Sequence, residues 1–190
     1  MSDVKMYGIF INDDDNVFFN KSIGSIILEL KEAGYNQVFI NGSKNLYHWV
    51  KACHNQGLKI HLVIDCFSHT DLFDKEALEN RYLSTINQIT YALARNVDGV
   101  CLDAIRSWKP TLKRRRASRL IASMIASFKE YAGDVALSVC VKGEWYGTYG
   151  TMKWLAKFYG QDYELMAPHV DIFLPMAYRS LYSSKWGLKK

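Results

Sequence analysis

Six short β-rich runs, each followed by a longer segment of helical periodicity or by the chain's end, dictate most of what this sequence can fold into. "MYGIFIN" (6–12), "QVFING" (37–42), "KIHLVIDCF" (59–67), "DGVCLDAI" (98–105), "VALSVCVKGE" (135–144) and "VDIFLPMAY" (170–178) read as strands. Helical patterns occupy the intervals at 22–35, 45–58, 74–95, 111–131 and 151–166. Gly34 and Gly57 each fall just past a helical run and just before a strand, where a helix ends in the left-handed conformation and a missing Cβ costs least. Repeated helix, glycine, short loop and strand predicts βα units feeding a parallel sheet. No linker or low-complexity segment interrupts the pattern, so residues 1–190 are expected to form a single domain.

The two faces of each strand choose between architectures. In "VALSVCVKGE", Val135, Leu137, Val139 and Val141 share one face, and Ala136, Ser138, Cys140, Lys142 and Glu144 share the other. "KIHLVID" repeats this, with Ile60, Leu62 and Ile64 opposed to His61, Val63 and Asp65. A doubly wound sheet carries helices on both faces and is greasy on both, whereas a closed βα barrel has one helix-facing side and an interior that turns polar at its mouth. The fold class predicted is therefore α/β, a parallel (β/α) TIM-type barrel. It is incomplete, because about six βα units are visible in 190 residues and a full barrel needs about 250. Either the chain is truncated at its C-terminus, or a second copy in a homodimer covers the exposed sheet edges.

Charge and cysteine usage narrow the partners. The net charge of +5 arises largely from one run, "KPTLKRRRASR" (109–119), read as a solvated helix face without interleaved aromatics, so no nucleic-acid partner is expected. The N-terminus lacks a basic region followed by an apolar stretch, and no window has the length a membrane span needs, which predicts a cytoplasmic protein, or an exported one if the chain is a fragment. Cys53, Cys66, Cys101 and Cys140 show no metal-ligand spacing, and His61 with Asp65 gives only two ligands on one strand. Neither a metal nor a cofactor is expected, and the thiols are read as reduced and buried.

The last inward residue of each strand marks the barrel mouth: Asn12, Asn41, Asp65, Asp103, Glu144 and Tyr178. Catalytic groups of βα barrels reside at that end, where interior packing stops and loops shape a cleft. Two carboxylates on neighbouring strands suit glycosidic cleavage, one as nucleophile or base and one as acid. Asp103 and Glu144 are the candidate catalytic pair. Lys142 and Trp145 flank Glu144, so a cation and an aromatic wall push its pKa in opposite directions. Arg106 either pairs with Asp103 as a structural ion pair or closes over substrate, and Tyr178 offers a hydrogen-bond donor. With Asn12, Asn41 and Asp65 these residues form the candidate substrate-binding set.

"VDGVCLDAIR" (97–106) resembles the fourth-strand motif of glycoside-hydrolase-like TIM-barrel families, and "YGQDYELMAPHVDIFLPMAYRSLY" (159–182) resembles their later signature. "DGVCLDA" and "KGEW" are also similar, more weakly, to the nucleophile and acid strands of the alpha-amylase superfamily. The resemblance implies a sugar-cleaving barrel with Asp103 as its principal acid, and it marks Arg106, Gln161, Asp162, Asp171, Pro175, Met176 and Tyr178. Gln161 and Asp162 read as structural ties. The expected function is hydrolysis of O-glycosidic bonds in a polysaccharide or cell-envelope glycan. The alternative is an inactive barrel that binds carbohydrate or a protein partner.

Overall fold

The computed structural model describes residues 6–12, 21–42, 44–142 and 157–176. The elements run β1 (Gly8–Asn12), α1 (Ile23–Glu32), β2 (Gln37–Asn41), α2 (Leu46–Asn55), β3 (Lys59–Asp65), α3 (Lys75–Leu93), β4 (Gly99–Asp103), α4 (Arg114–Ala132), β5 (Ala136–Lys142), the short α5 (Tyr163–Met166) and β6 (Ile172–Met176). All six strands are parallel and adjacent in chain order. The sheet curls until β1 and β6 face one common pocket, which makes it an incomplete TIM-type barrel.

Local chemistry explains the punctuation. Gly34 (φ 88°) and Gly57 (φ 68°) end α1 and α2 in the left-handed conformation. The N–H groups of Tyr35 and Leu58 then reach back to the carbonyls of Leu30 and Cys53, which closes both helices the same way. Ser22 and Asp74 cap α1 and α3, their side chains accepting the N–H groups of Ser25 and Ala77. Within the helical pattern at 151–166, residues 157–158 are helical and α5 follows, with Gly160 (φ 78°) breaking the helix between them.

The strand faces divide as the alternation predicts. Ile60, Leu62, Ile64, Val100, Leu102, Leu137, Val139 and Val141 pack outward against Trp49, Ile89, Ile121, Ile125 and Phe128 of the helices. Each such aliphatic side chain contributes about 1.5–3 kcal/mol by leaving water. Phe39, Val63, Cys101 and Cys140 form a separate inner cluster, with Leu174 and Met176 against it. No helix among the described residues is long and apolar enough to cross a membrane.

Candidate functional site

The barrel interior is built in layers set by the strand register. At the bottom, Phe10, Phe39, His61 and Gly99 stand side by side on β1 to β4. The rings stack, Phe10 on Phe39 at 4.9 Å and Phe39 on His61 at 4.6 Å between centroids. A Cβ at Gly99 would collide with His61 Nδ1, so the glycine makes room for the imidazole. Above lies the row Asn12, Asn41, Val63, Cys101 and Ser138, and above that Asp65 beside Asp103 and Cys140 beside Leu174.

Asn12, Asn41 and Asp103 line one concave pocket of about 490 Å³, together with Phe10, Val63, Cys140, Leu174 and Met176. Asp103 is half-buried at the end of β4, and its Oδ1 accepts the Ala104 N–H at 2.7 Å. Ala104 sits at φ 50°, a left-handed conformation that costs a residue with a Cβ about 1–2 kcal/mol and is held here by the Asp103 bond. That turn sends the chain out of the sheet immediately after the carboxylate. Asp103 is the only carboxylate among the described residues lining the pocket.

The other candidates are placed differently. Asp65, level with Asp103 on β3, spends its Oδ1 on the Ser68 N–H (3.0 Å) and Arg81 Nη2 (3.4 Å), and it does not line the pocket. No ion pair joins Arg106 to Asp103; its guanidinium lies 5.4 Å from the Trp108 ring centroid, and its Nε is buried without a hydrogen-bond partner. Lys142 donates its backbone N–H to Gln161 Oε1 (3.0 Å), while its ammonium sits 3.8 Å from the Tyr159 ring centroid. His61 and Asp65 do not converge, since one ring is buried under Phe39 and the other side chain is exposed beside Arg81. Glu144, Trp145 and Tyr178 lie outside the described residues.

Two residues of the signature have clear structural work. Gln161 is fully buried, and its amide group donates to the Cys140 carbonyl (3.2 Å) while accepting from Lys142, which ties the end of β5 to the segment before α5. Asp171 Oδ2 accepts the Leu137 N–H and pairs with Lys129 Nζ, each at 2.7 Å. Burial pushes its carboxyl up, but those two partners outweigh it and hold it below the ordinary carboxylate value. Of the apolar pocket wall, Cys140 and Leu174 are not among the candidate residues and Met176 is marked by the resemblance alone, although the same alternation that points to Asp103 puts all three on the inner face.

No family model and no curated protein matches the sequence. Solved structures do. A sugar phosphate isomerase/epimerase from Parabacteroides distasonis superposes with a TM-score of 0.56 at 13% identity, over 87% of this chain and 67% of that one. YKL-39, solved with chitooligosaccharides, superposes with a TM-score of 0.60 at 13% identity, over 90% of this chain and 50% of its own. The carboxyl transferase domain of Rhizobium etli pyruvate carboxylase gives 0.63 at 9% identity, over 88% and 26%. The chain thus spans between about a quarter and two thirds of these proteins, and at such identities what they share with it is the βα-barrel fold.

Proposed function

We propose that the protein hydrolyses O-glycosidic bonds of a polysaccharide or cell-envelope glycan, with Asp103 and Glu144 as its two carboxylates. The observation that carries this reading is the position of Asp103, a half-buried carboxylate at the C-terminal end of β4 opening into the 490 Å³ pocket beside Asn12 and Asn41. Carboxylates at that end of a barrel strand meet substrate, and side-chain amides beside them suit sugar hydroxyls. In this mechanism Asp103 attacks or stabilises the cationic sugar centre, and Glu144 protonates the leaving oxygen. The apolar wall of Cys140, Leu174 and Met176 favours a second reading, a barrel that binds carbohydrate without turnover.

Reducing-end release from a glycan panel separates the two. Asn at position 103 keeps an oxygen that can accept the Ala104 N–H, so Asp103→Asn is expected to fold and bind sugar while turnover falls by about 100-fold or more. Glu144→Gln should spare activated aryl glycosides more than natural substrates, since a general acid matters most for poor leaving groups. Binding without any release by the unmodified protein would establish the second reading instead.

A further inference from the structure

A second cavity, of about 360 Å³, opens between the loop after β3 and the loop after β4, the same end of the barrel as Asp103. Its walls include His69 and Trp108, whose ring centroids are 3.9 Å apart, and both residues are exposed. Lys109 and Lys113 supply two cations to the lining and Asp71 one carboxylate, which already accepts the Phe73 N–H at 2.9 Å. Arg106 approaches the Trp108 ring, so the platform is backed by a third cation.

Three features mark this groove as more than a gap between loops. His69 (φ 61°) and Ala104 (φ 50°) hold left-handed backbone without being glycine, one in each loop, and such strain persists where the surroundings enforce it and concentrates at binding sites. The second loop is pinned from behind: Ser107 and Thr111 donate their N–H groups to the carbonyls of Tyr159 and Phe158, each at 2.8 Å. Finally, α4 begins with Arg114, Arg115 and Arg116, has no acidic residue in its first turn and gets no side-chain cap from Lys113. Cations at the positive end of a helix oppose its dipole, and an anion in the adjoining groove would relieve both.

We propose that this groove is a subsite for an acidic sugar residue, one bearing a carboxylate or a phosphate. His69 and Trp108 offer flat apolar faces to the CH surface of the ring, and Lys109 and Lys113 take the anionic substituent. The volume is at the small end for a ligand site and suits about one sugar unit. The inference rests on the hydrolase reading only for the glycan to which that unit belongs. Nucleic acid is the lesser fit: Arg114 and Arg116 are turned to rings, 5.3 Å from the Phe158 centroid and 5.4 Å from that of Phe73, whereas Lys113, 4.9 Å from the Phe73 centroid, stays at the groove that Phe73 lines, so with Lys109 only two cations face it, too few to track a phosphate backbone.

The test uses the full chain and the probes glucuronate, glucose 6-phosphate, glucose, inorganic phosphate and oligouridylate. Binding is followed through the Trp108 indole N–H resonance, assigned by its loss in Trp108→Phe. At least one acidic sugar should shift that resonance, weaken steeply with salt, and bind about tenfold less tightly to the Lys109→Ala/Lys113→Ala double variant, whose fold is checked by circular dichroism. Which acidic sugar binds identifies the substituent. Glucose binding as tightly as both acidic sugars, phosphate binding as tightly as glucose 6-phosphate, an unaffected double variant, or tighter binding of oligouridylate would each overturn the proposal. Acidic-sugar binding here with no Asp103-dependent cleavage removes the hydrolase reading and leaves the subsite, whereas cleavage without such binding removes the subsite alone.

Discussion

His61 sits on the floor of the barrel with neither ring nitrogen hydrogen-bonded, packed against Phe39 and into the space left by Gly99. Burial lowers its pKa from 6.5 to about 4; Asp98 partly offsets this and Lys59 adds to it. The imidazole is therefore neutral in the folded chain, while the unfolded chain takes up a proton between those two values. Stability from this residue is complete above pH 6.5 and is lost as pH falls towards 4, by an amount on the order of 3 kcal/mol. Thermal melts across that range should show a falling midpoint in the unmodified protein and a flatter profile in His61→Leu. Identical profiles would mean that His61 is solvated in solution. The alternation within "KIHLVID" already put His61 on the inner face, but its isolation depends on Gly99 one strand away, which no local pattern reveals. The same holds for Arg106. Its spacing from Asp103 left two partners open, and the left-handed Ala104 together with the tether of Ser107 to Tyr159 sets a loop path that brings it to Trp108.

At the scale of elements, one device recurs. Asp98, just before β4, accepts the Ile60 N–H of β3 at 2.9 Å and pairs with His54; Asp171, just before β6, accepts the Leu137 N–H of β5 and pairs with Lys129. In both places a "VD" dipeptide satisfies a strand N–H of the neighbour and clips it to a helix. Asp171 of the later signature is thereby explained as strand registration rather than chemistry. Asp171→Ala should cost about 1–2 kcal/mol by stripping the Leu137 N–H of its partner, a modest figure because the carboxylate is 44% exposed and its pairing with Lys129 is screened. Since the folded carboxyl is held below the ordinary 3.8, this contribution is complete above that pH and is lost as pH falls through the lowered value. Denaturant titrations of the two proteins should therefore differ at neutral pH and converge in acid, and a constant gap would exclude the carboxylate as its source. The clips were legible as repeated dipeptides but not as contacts, because each joins positions more than thirty residues apart. Conversely, the helical periodicity of 151–166 ran through Gly160, where the buried Gln161 amide fixes a turn that periodicity alone does not encode.

At the scale of the molecule, alternation and counting carried the sequence to a six-unit parallel barrel, and the sheet order agrees with it strand by strand. What closes the barrel is a question of edges. Among the described residues β1 pairs only with β2 and β6 only with β5, so each strand presents one unpaired side. The inner face reaches the β1 edge as Phe10, which is 52% exposed although it stacks on Phe39, and Tyr7, just before the strand, is 55% exposed. An open parallel edge flanked by aromatic surface is a template for pairing, and chains cover such edges or pair them. We expect a second copy to cover this one. Association that stabilises only the folded chain makes the melting midpoint rise with protein concentration, and about a hundredfold increase is enough to reveal it. Light scattering should give a mass near twice 21.9 kDa, and Phe10→Lys, which places a charge on the edge, should move both observations towards the monomer. A midpoint independent of concentration, with a mass of 21.9 kDa, would show that these edges need no second copy.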